Sequence, residues 1–402
     1  MVSDKYGKSG EKEKAPERFG VLAALLGVPD KRIKYVHAAG TNGKGSVCGF
    51  IASALVCAGK KTGKFTSPHL ADITERITVN GANITKADLA RLCEKADRAA
   101  EDSGCAGFSR FEILAASALM YFSEVEADYA VIETGIGGLL DCTGVIMPEV
   151  SVITRVSLDH TDILGDTVEK IARHKAGVIK ANVPCVVYPL QYPETMNVMA
   201  ETAANLNAPL VIPDLTALDI SESSVFRNVF FYKGREFRIK TGGEHQIYNA
   251  VTAAEALSVL GVNAAGIAKA RIPARLQIIS ENPAVILDGA HNPDGLHAAR
   301  KAVEGLPGKK VVVAGMLKTK NYRDGLKELI VPGGTVILTD GFSTEAAPCG
   351  ELAAVCREYG AKRVLTESDE NRAVSLAREL AGDDGTVLIS GSLYLAGKIL
   401  RG

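Results

Sequence analysis

The chain has 402 residues, of which 47% are hydrophobic and 23% charged, the mix of a folded globular protein rather than a disordered one. Its 46 Lys plus Arg against 47 Asp plus Glu leave a formal net charge of −1. That balance argues against a chain-wide nucleic-acid or membrane-surface role while leaving room for a local basic pocket. The length is about twice the ~150–200 residues at which one hydrophobic core stops being the default, so two domains are expected.

Residues 1–18 (MVSDKYGKSGEKEKAPER) read as a solvated, mobile start without the apolar stretch of a secretory signal. A strand over 33–38 then leads into a helix over 45–58, and a helix over 112–125 leads into a strand over 129–133. A strand over 150–156, a helix over 167–179 and a strand over 184–189 follow. This alternation predicts a mostly parallel sheet with helices on both faces. Residues 208–242 differ: the Val/Phe/Tyr-rich runs 224–232 and 236–240 flank Lys233-Gly234 and predict a small antiparallel patch. After a helix over 245–260, Ala270-Arg271-Ile272-Pro273-Ala274 reads as a linker.

Alternation then restarts, with strands over 284–288, 310–314, 335–339 and 386–390. Helices over 295–303, 322–329, 350–359 and 372–380 lie between them. No apolar run reaches the ~18 residues of a membrane-spanning helix. Eight cysteines occur, none in a Cys-x-x-Cys pair, which predicts reduced thiols in a cytoplasmic protein.

Five segments carry chemistry. In His37-Ala38-Ala39-Gly40-Thr41-Asn42-Gly43-Lys44-Gly45-Ser46, a Gly-rich turn joins a strand to a helix. Backbone N–H groups of such a turn face a phosphate, helped by the positive helix N-terminus. Lys44 would reach the outer phosphates and the Ser46 hydroxyl a Mg²⁺ ion, although Gly45 separates the two residues that the usual pattern places side by side. Glu133 ends an apolar strand, where a doubly wound sheet gathers its ligands and where a carboxylate can hold Mg²⁺. A helix cap or surface acid is the alternative for that residue.

His160, in Ser157-Leu158-Asp159-His160-Thr161-Asp162, follows the next strand and faces the same crevice or simply packs. Lys175 lies on the following helix, as a solvated lysine or as part of this site. In the second half, Arg275 and the run Asp288-Gly289-Ala290-His291-Asn292-Pro293 either bind a ligand or cap the helix that follows. The expected fold class is α/β, with a P-loop-containing, mostly parallel sheet domain over 1–272. A smaller Rossmann-like α/β domain would occupy 273–402.

In this order the segments resemble the folylpolyglutamate synthase/dihydrofolate synthase family of the Mur ligase superfamily. Matching pieces are GTNGKGS (40–46), SPHLADITERITVNG (67–81), FEILAASAL (111–119), IETGIGG (132–138) and LDHTDILG (158–165). HKAGVIK (174–180), HQIYNA (245–250), ARLQ (274–277) and LDGAHNPDG (287–295) continue the match, which spans roughly 17–400. The resemblance implies an ATP-dependent amide ligase that activates a carboxylate as an acyl phosphate and joins it to L-glutamate. The acceptor would be dihydropteroate, a folate, or both.

Carried over to this chain, Thr41, Asn42, Gly43, Lys44, Gly45 and Ser46 would hold the ATP phosphates. Asn249 would meet adenine, while Arg275 and Asp288 would meet phosphate and ribose. Ser46, Ser67, Glu133, His160 and Lys175 would serve two Mg²⁺ sites, with Lys175 carbamylated. Lys44, Lys175 and His291 would be catalytic, and Phe111 and Glu112 would border the pterin.

The chain departs from the family at Leu139 (commonly Arg), Gly144 (commonly Asn), Lys318–Asn321 and Ser343–Pro348. A ligase of the superfamily acting on a different acid or amino acid is the alternative within this class. A non-catalytic P-loop nucleotide-binding protein is the alternative outside it. A monomer working on small molecules, without nucleic acid or membrane partners, is expected.

Overall fold

The computed structural model describes residues 15–401, so most of the start that reads as solvated lies outside the described residues. Residues 15–18 do not fit that reading. They open the helix Ala15–Leu26, in which Phe19 and Leu22 are fully buried and Arg18 is 5% exposed. The Arg18 guanidinium binds both oxygens of Glu112, each at 2.8 Å, across 94 residues of sequence. A buried cation is tolerated only with such a partner, and no short window of sequence contains it. Replacing Arg18 with Leu is expected to destabilise the protein by about 3 kcal/mol, because it strands the buried Glu112 carboxylate; urea unfolding checks this.

The large sheet has eight strands in the order Ala82–Asn83, Ile77–Val79, Thr62–Phe65, Tyr129–Glu133, Lys34–Ala39, Pro148–Ile153, Cys185–Val187, Leu210–Val211. From Thr62–Phe65 to Leu210–Val211 every pairing is parallel. The two strands beyond Thr62–Phe65 pair antiparallel. Central strands covered on both faces read as continuous apolar runs. In Tyr129–Glu133, Ala130 and Ile132 join one core and Tyr129 and Val131 the other. One face carries the helices Lys44–Cys57 and Glu244–Val259, the other Lys86–Asp102 and Arg110–Glu124.

The antiparallel patch is present as three strands, Leu218–Ser223, Asn228–Tyr232 and Arg235–Ile239. Lys233 (φ 48°) and Gly234 (φ 74°) both have positive φ, which a two-residue hairpin turn requires at both positions. Phe230 and Phe237 pair across the strands with stacked rings 5.2 Å apart.

The second sheet orders six strands as Gln277–Glu281, Ala284–Leu287, Thr386–Ser390, Lys310–Ala314, Thr335–Leu338, Arg363–Thr366. Only the first pairing is antiparallel. The segment that reads as a linker ends in a tightly held turn. Ala274 and Leu276 are buried with positive φ, Ala274 O accepts from Gly289 N, and Leu276 N donates to Asp288. Among the described residues no helix is long and apolar enough to cross a membrane.

Candidate active site

Lys34–Ala39 lies between Tyr129–Glu133 and Pro148–Ile153, all three parallel, so their C-terminal ends fall side by side, where sheets of this kind gather ligands. At the end of the central strand the chain turns through Gly40 (φ 151°) and Gly43 (φ 89°). A Cβ at Gly40 would stand 1.8 Å from Thr154 Oγ1, and one at Gly43 would stand 2.4 Å from Asn249 Oδ1. Thr41 N and Asn42 N both donate to Arg155 O, which pins the loop to the neighbouring strand end. Gly43 supplies no side-chain cap for Lys44–Cys57, so the first-turn N–H groups of that 14-residue helix are available to an anion.

Two lysines converge on this loop. Lys44 Nζ donates to Gly40 O at 3.0 Å and lies 3.9 Å from Glu133 Oε1. Lys175, in the last turn of Val168–Ala176, is buried and donates to the same carbonyl at 2.7 Å. Burial, and then the charge of Lys44, hold the Lys175 amine far below the ordinary lysine range, which favours its neutral form. Glu133 is buried and accepts from Ser67 N at 3.3 Å. Burial raises its pKa, opposed by the positive charge of Lys44.

His160 stands at the start of the short helix Thr161–Leu164 in the left-handed region (φ 51°). Burial pushes its pKa down to about 4, so its imidazole is neutral near pH 7 and can act as a ligand. Ser46 Oγ and Thr134 Oγ1 are buried without a hydrogen-bond partner, which is costly for a hydroxyl unless a ligand completes it. Among the described residues no three His, Cys, Asp or Glu groups cluster for a metal. The donors on hand are hydroxyls, the Glu133 carboxylate and the His160 imidazole, and the oxygen donors suit a hard cation bound partly through phosphate.

The second domain closes the other side. Asp288 accepts from Leu276 N at 2.9 Å and Ala290 N at 2.8 Å, while Asn292 caps the helix Pro293–Glu304. Capping therefore falls to Asn292, and Asp288 shapes the turn that presents Arg275 and His291. Asn249 donates to Gln246 and lies against the phosphate loop at Gly43. Phe111 packs against Phe65, with ring centroids 5.5 Å apart and the planes tilted by 40°, and covers Gly135. The Glu112 carboxylate is taken up by Arg18 and by Ser109 N and Oγ.

Thr41, Asn42, Gly43, Lys44, Gly45, Ser46, Ser67, Phe111, Glu112, Glu133, His160, Lys175, Asn249, Arg275, Asp288 and His291 all line one cavity of 1410 Å³. Sequence reasoning passed over Asp159 and Lys320, which face each other in the same cavity at 2.7 Å. Asp159 stood in plain view beside His160 at a strand end. Lys320 has no local signal, being one of several lysines in a loop. Asp141 was also missed: buried, it ties down the turn after Glu133 by accepting from Gly135 N and Ile136 N.

Profiles of known families match both halves of the chain: the Mur ligase middle domain over residues 38–257, and the Mur ligase glutamate ligase domain over 274–393. The dihydrofolate synthase/folylpolyglutamate synthase of Bacillus subtilis is 34% identical, covering 96% of this chain and 94% of its own. The folylpolyglutamate synthase of Lacticaseibacillus casei is 32% identical over 95% of this chain and 92% of its own. Mycobacterium tuberculosis folylpolyglutamate synthase, solved with ADP and AMPPCP, superposes with a TM-score of 0.88 at 29% identity, covering 96% and 94% of the two chains. Escherichia coli FolC in complex with DHPP and ADP gives 0.86 at 29% identity, over 100% and 94%. A Yersinia pestis bifunctional relative solved with AMPPNP and a Mn ion gives 0.83 at 29% identity, over 100% and 95%. With both domains matched and such relatives aligned over nearly their whole length, the chain belongs to the dihydrofolate synthase/folylpolyglutamate synthase family of Mur-type ligases.

Proposed function

We propose that this chain uses ATP to join L-glutamate to dihydropteroate, to a folate, or to both. The observation that carries the reading is the convergence of Lys44 and Lys175 on Gly40 O beside Glu133, in a cavity that Arg275, Asp288 and His291 complete from the second domain. A binder of nucleotide alone has no use for a second domain bearing charged groups at the phosphate end. The proposed division, 1–272 and 273–402, puts catalytic groups on both sides of the turn at Ala274–Leu276.

A carboxylate is a poor electrophile, so the terminal phosphoryl group of ATP passes to it first and ADP leaves. The amine of glutamate then attacks the acyl carbon, the C–O bond to phosphate breaks with its electron pair, and the amine loses its proton. Lys44 and the N–H groups at the start of Lys44–Cys57 stabilise charge on the phosphates during transfer. Arg275 and His291 approach from the second domain, and closure of the cavity around bound substrates would keep water from the acyl phosphate.

Ser46, Ser67, Glu133 and His160 would hold divalent metal at two sites; such ions, when bound, supply further neutralisation of phosphate charge. Lys175 would join them as a carbamate, formed when its neutral amine adds to CO₂ and releases one proton. Asn249 would meet the base and Asp288 the ribose. Phe111 offers its ring to a pterin, while Glu112 acts there through the wall it builds with Arg18. A monomer is the proposed state, and eight unpaired cysteines support a reducing, cytoplasmic setting.

The test is phosphate release from ATP across a panel of dihydropteroate, tetrahydrofolates and non-folate acids. Release is expected only with both a pterin acid and glutamate. Turnover with neither would sink the ligase reading, and turnover with a non-folate acid alone would move the acceptor.

A further inference from the structure

Lys320, outside the matched segments, joins side chains within them to tie the second domain to the Gly-rich loop. Lys320 lies between the strand Lys310–Ala314 and the helix Tyr322–Leu329. Its Nζ reaches across to the first domain, 2.7 Å from Asp159 Oδ1 and 3.3 Å from His160 Nε2. The other oxygen of Asp159 accepts from Asn292 Nδ2 at 3.3 Å and lies 3.6 Å from His291 Nε2. Asn292 Nδ2 in turn donates to Asn42 Oδ1 at 2.9 Å, and Asn42 Nδ2 donates back to Asn292 Oδ1 at 3.2 Å. Asn42 Nδ2 also reaches Asp294 at 3.0 Å, and Arg155, whose carbonyl holds the loop, lies 3.6 Å from the same carboxylate. A continuous polar path thus runs from Lys320 through Asp159 to the turn that carries His291, and on into the phosphate loop.

The ion pair is mostly withdrawn from water, with Lys320 at 13% and Asp159 at 11% exposure. Groups so placed lose much of their hydration, and their contacts across the two domains replace part of it. Lys318, two positions earlier, is exposed and shows what a lysine of this loop does without such a partner.

We infer that Lys320 and Asp159 are positioning residues whose ion pair seats the His291–Asn292 turn of the second domain against the phosphate loop. The kinetic part of this inference rests on the ligase reading above; the domain arrangement does not. Small displacements at a reacting centre are expensive, so Lys320→Met and Asp159→Asn are each expected to lower kcat about 10²-fold. The ATP KM should move by less than about threefold, because the nucleotide contacts of the first domain stay in place. The double variant should be little worse than either single one, since both break one interaction. Lys320→Arg should keep most of the rate, and Lys318→Met should match the unaltered chain.

Solution scattering with a non-hydrolysable ATP analogue reads the arrangement directly. Lys320→Met should give a larger radius of gyration than the unaltered chain, with thermal unfolding confirming that both are folded. Unchanged kcat in both single variants, or additive losses in the double, would overturn the positioning role. A chain inactive on every folate acid would instead sink the ligase reading. Scattering would then decide this one, with equal radii counting against it.

Discussion

Lys44→Ala is expected to cut ATP-dependent amide formation by about 10³-fold or more, the upper end of what one charge-stabilising donor contributes in an enclosed site. The ammonium of Lys44 lies between Gly40 O and Glu133 Oε1 at the start of a helix with no side-chain cap. Phosphoryl transfer concentrates negative charge at that spot, and water cannot replace a fixed cation there. The fold should survive, because Lys44 is part-buried at a cavity wall and not in a core cluster. ADP release in the presence of acid and glutamate measures the effect. Full activity would show that this loop is not where ATP reacts.

Lys175→Ala should be nearly as damaging, and it carries a second signature. Lys175 is buried, its amine donates to Gly40 O, and burial lowers its pKa well below the ordinary lysine range, which favours the neutral form. A neutral amine is the form that adds to CO₂, and the resulting carbamate replaces a cation by an anion that metal at this site can use. Removing the side chain opens a space into which a small carboxylate such as formate or acetate fits. Partial recovery of activity with millimolar carboxylate is therefore expected in Lys175→Ala but not in Lys44→Ala. Wild-type behaviour of Lys175→Ala would end the carbamate proposal. Loss without rescue would leave Lys175 acting as an amine.

Much of this molecule was legible from residues close together in sequence. The Gly-rich loop is a local object, because Gly40 and Gly43 take positive φ in the short turn from a strand to a helix. Strands such as Lys310–Ala314 and Thr386–Ser390 declared themselves as short apolar runs between helical segments. Other elements did not. Lys86–Asp102 has only five buried residues in seventeen, so most of its sequence speaks of solvent. Thr62–Phe65 is four residues long and contains both a glycine and a lysine. Ala15–Leu26 was hidden behind a charged start, and its buried Arg18 needs Glu112.

The sequence by itself determined the alternating α/β pattern, the Gly-rich strand-to-helix loop, the polar groups at the strand ends and, through their order, the family. These follow from rules that act within a few residues: backbone conformation, side-chain periodicity and turn chemistry. Only the tertiary structure decided that Lys34–Ala39 sits between Tyr129–Glu133 and Pro148–Ile153, that Glu112 is spent on Arg18, and that Lys320 closes on Asp159. The last two pairings join residues 94 and 161 positions apart. Their strength comes from burial, which exists only once the chain has brought distant charges together and removed the water around them.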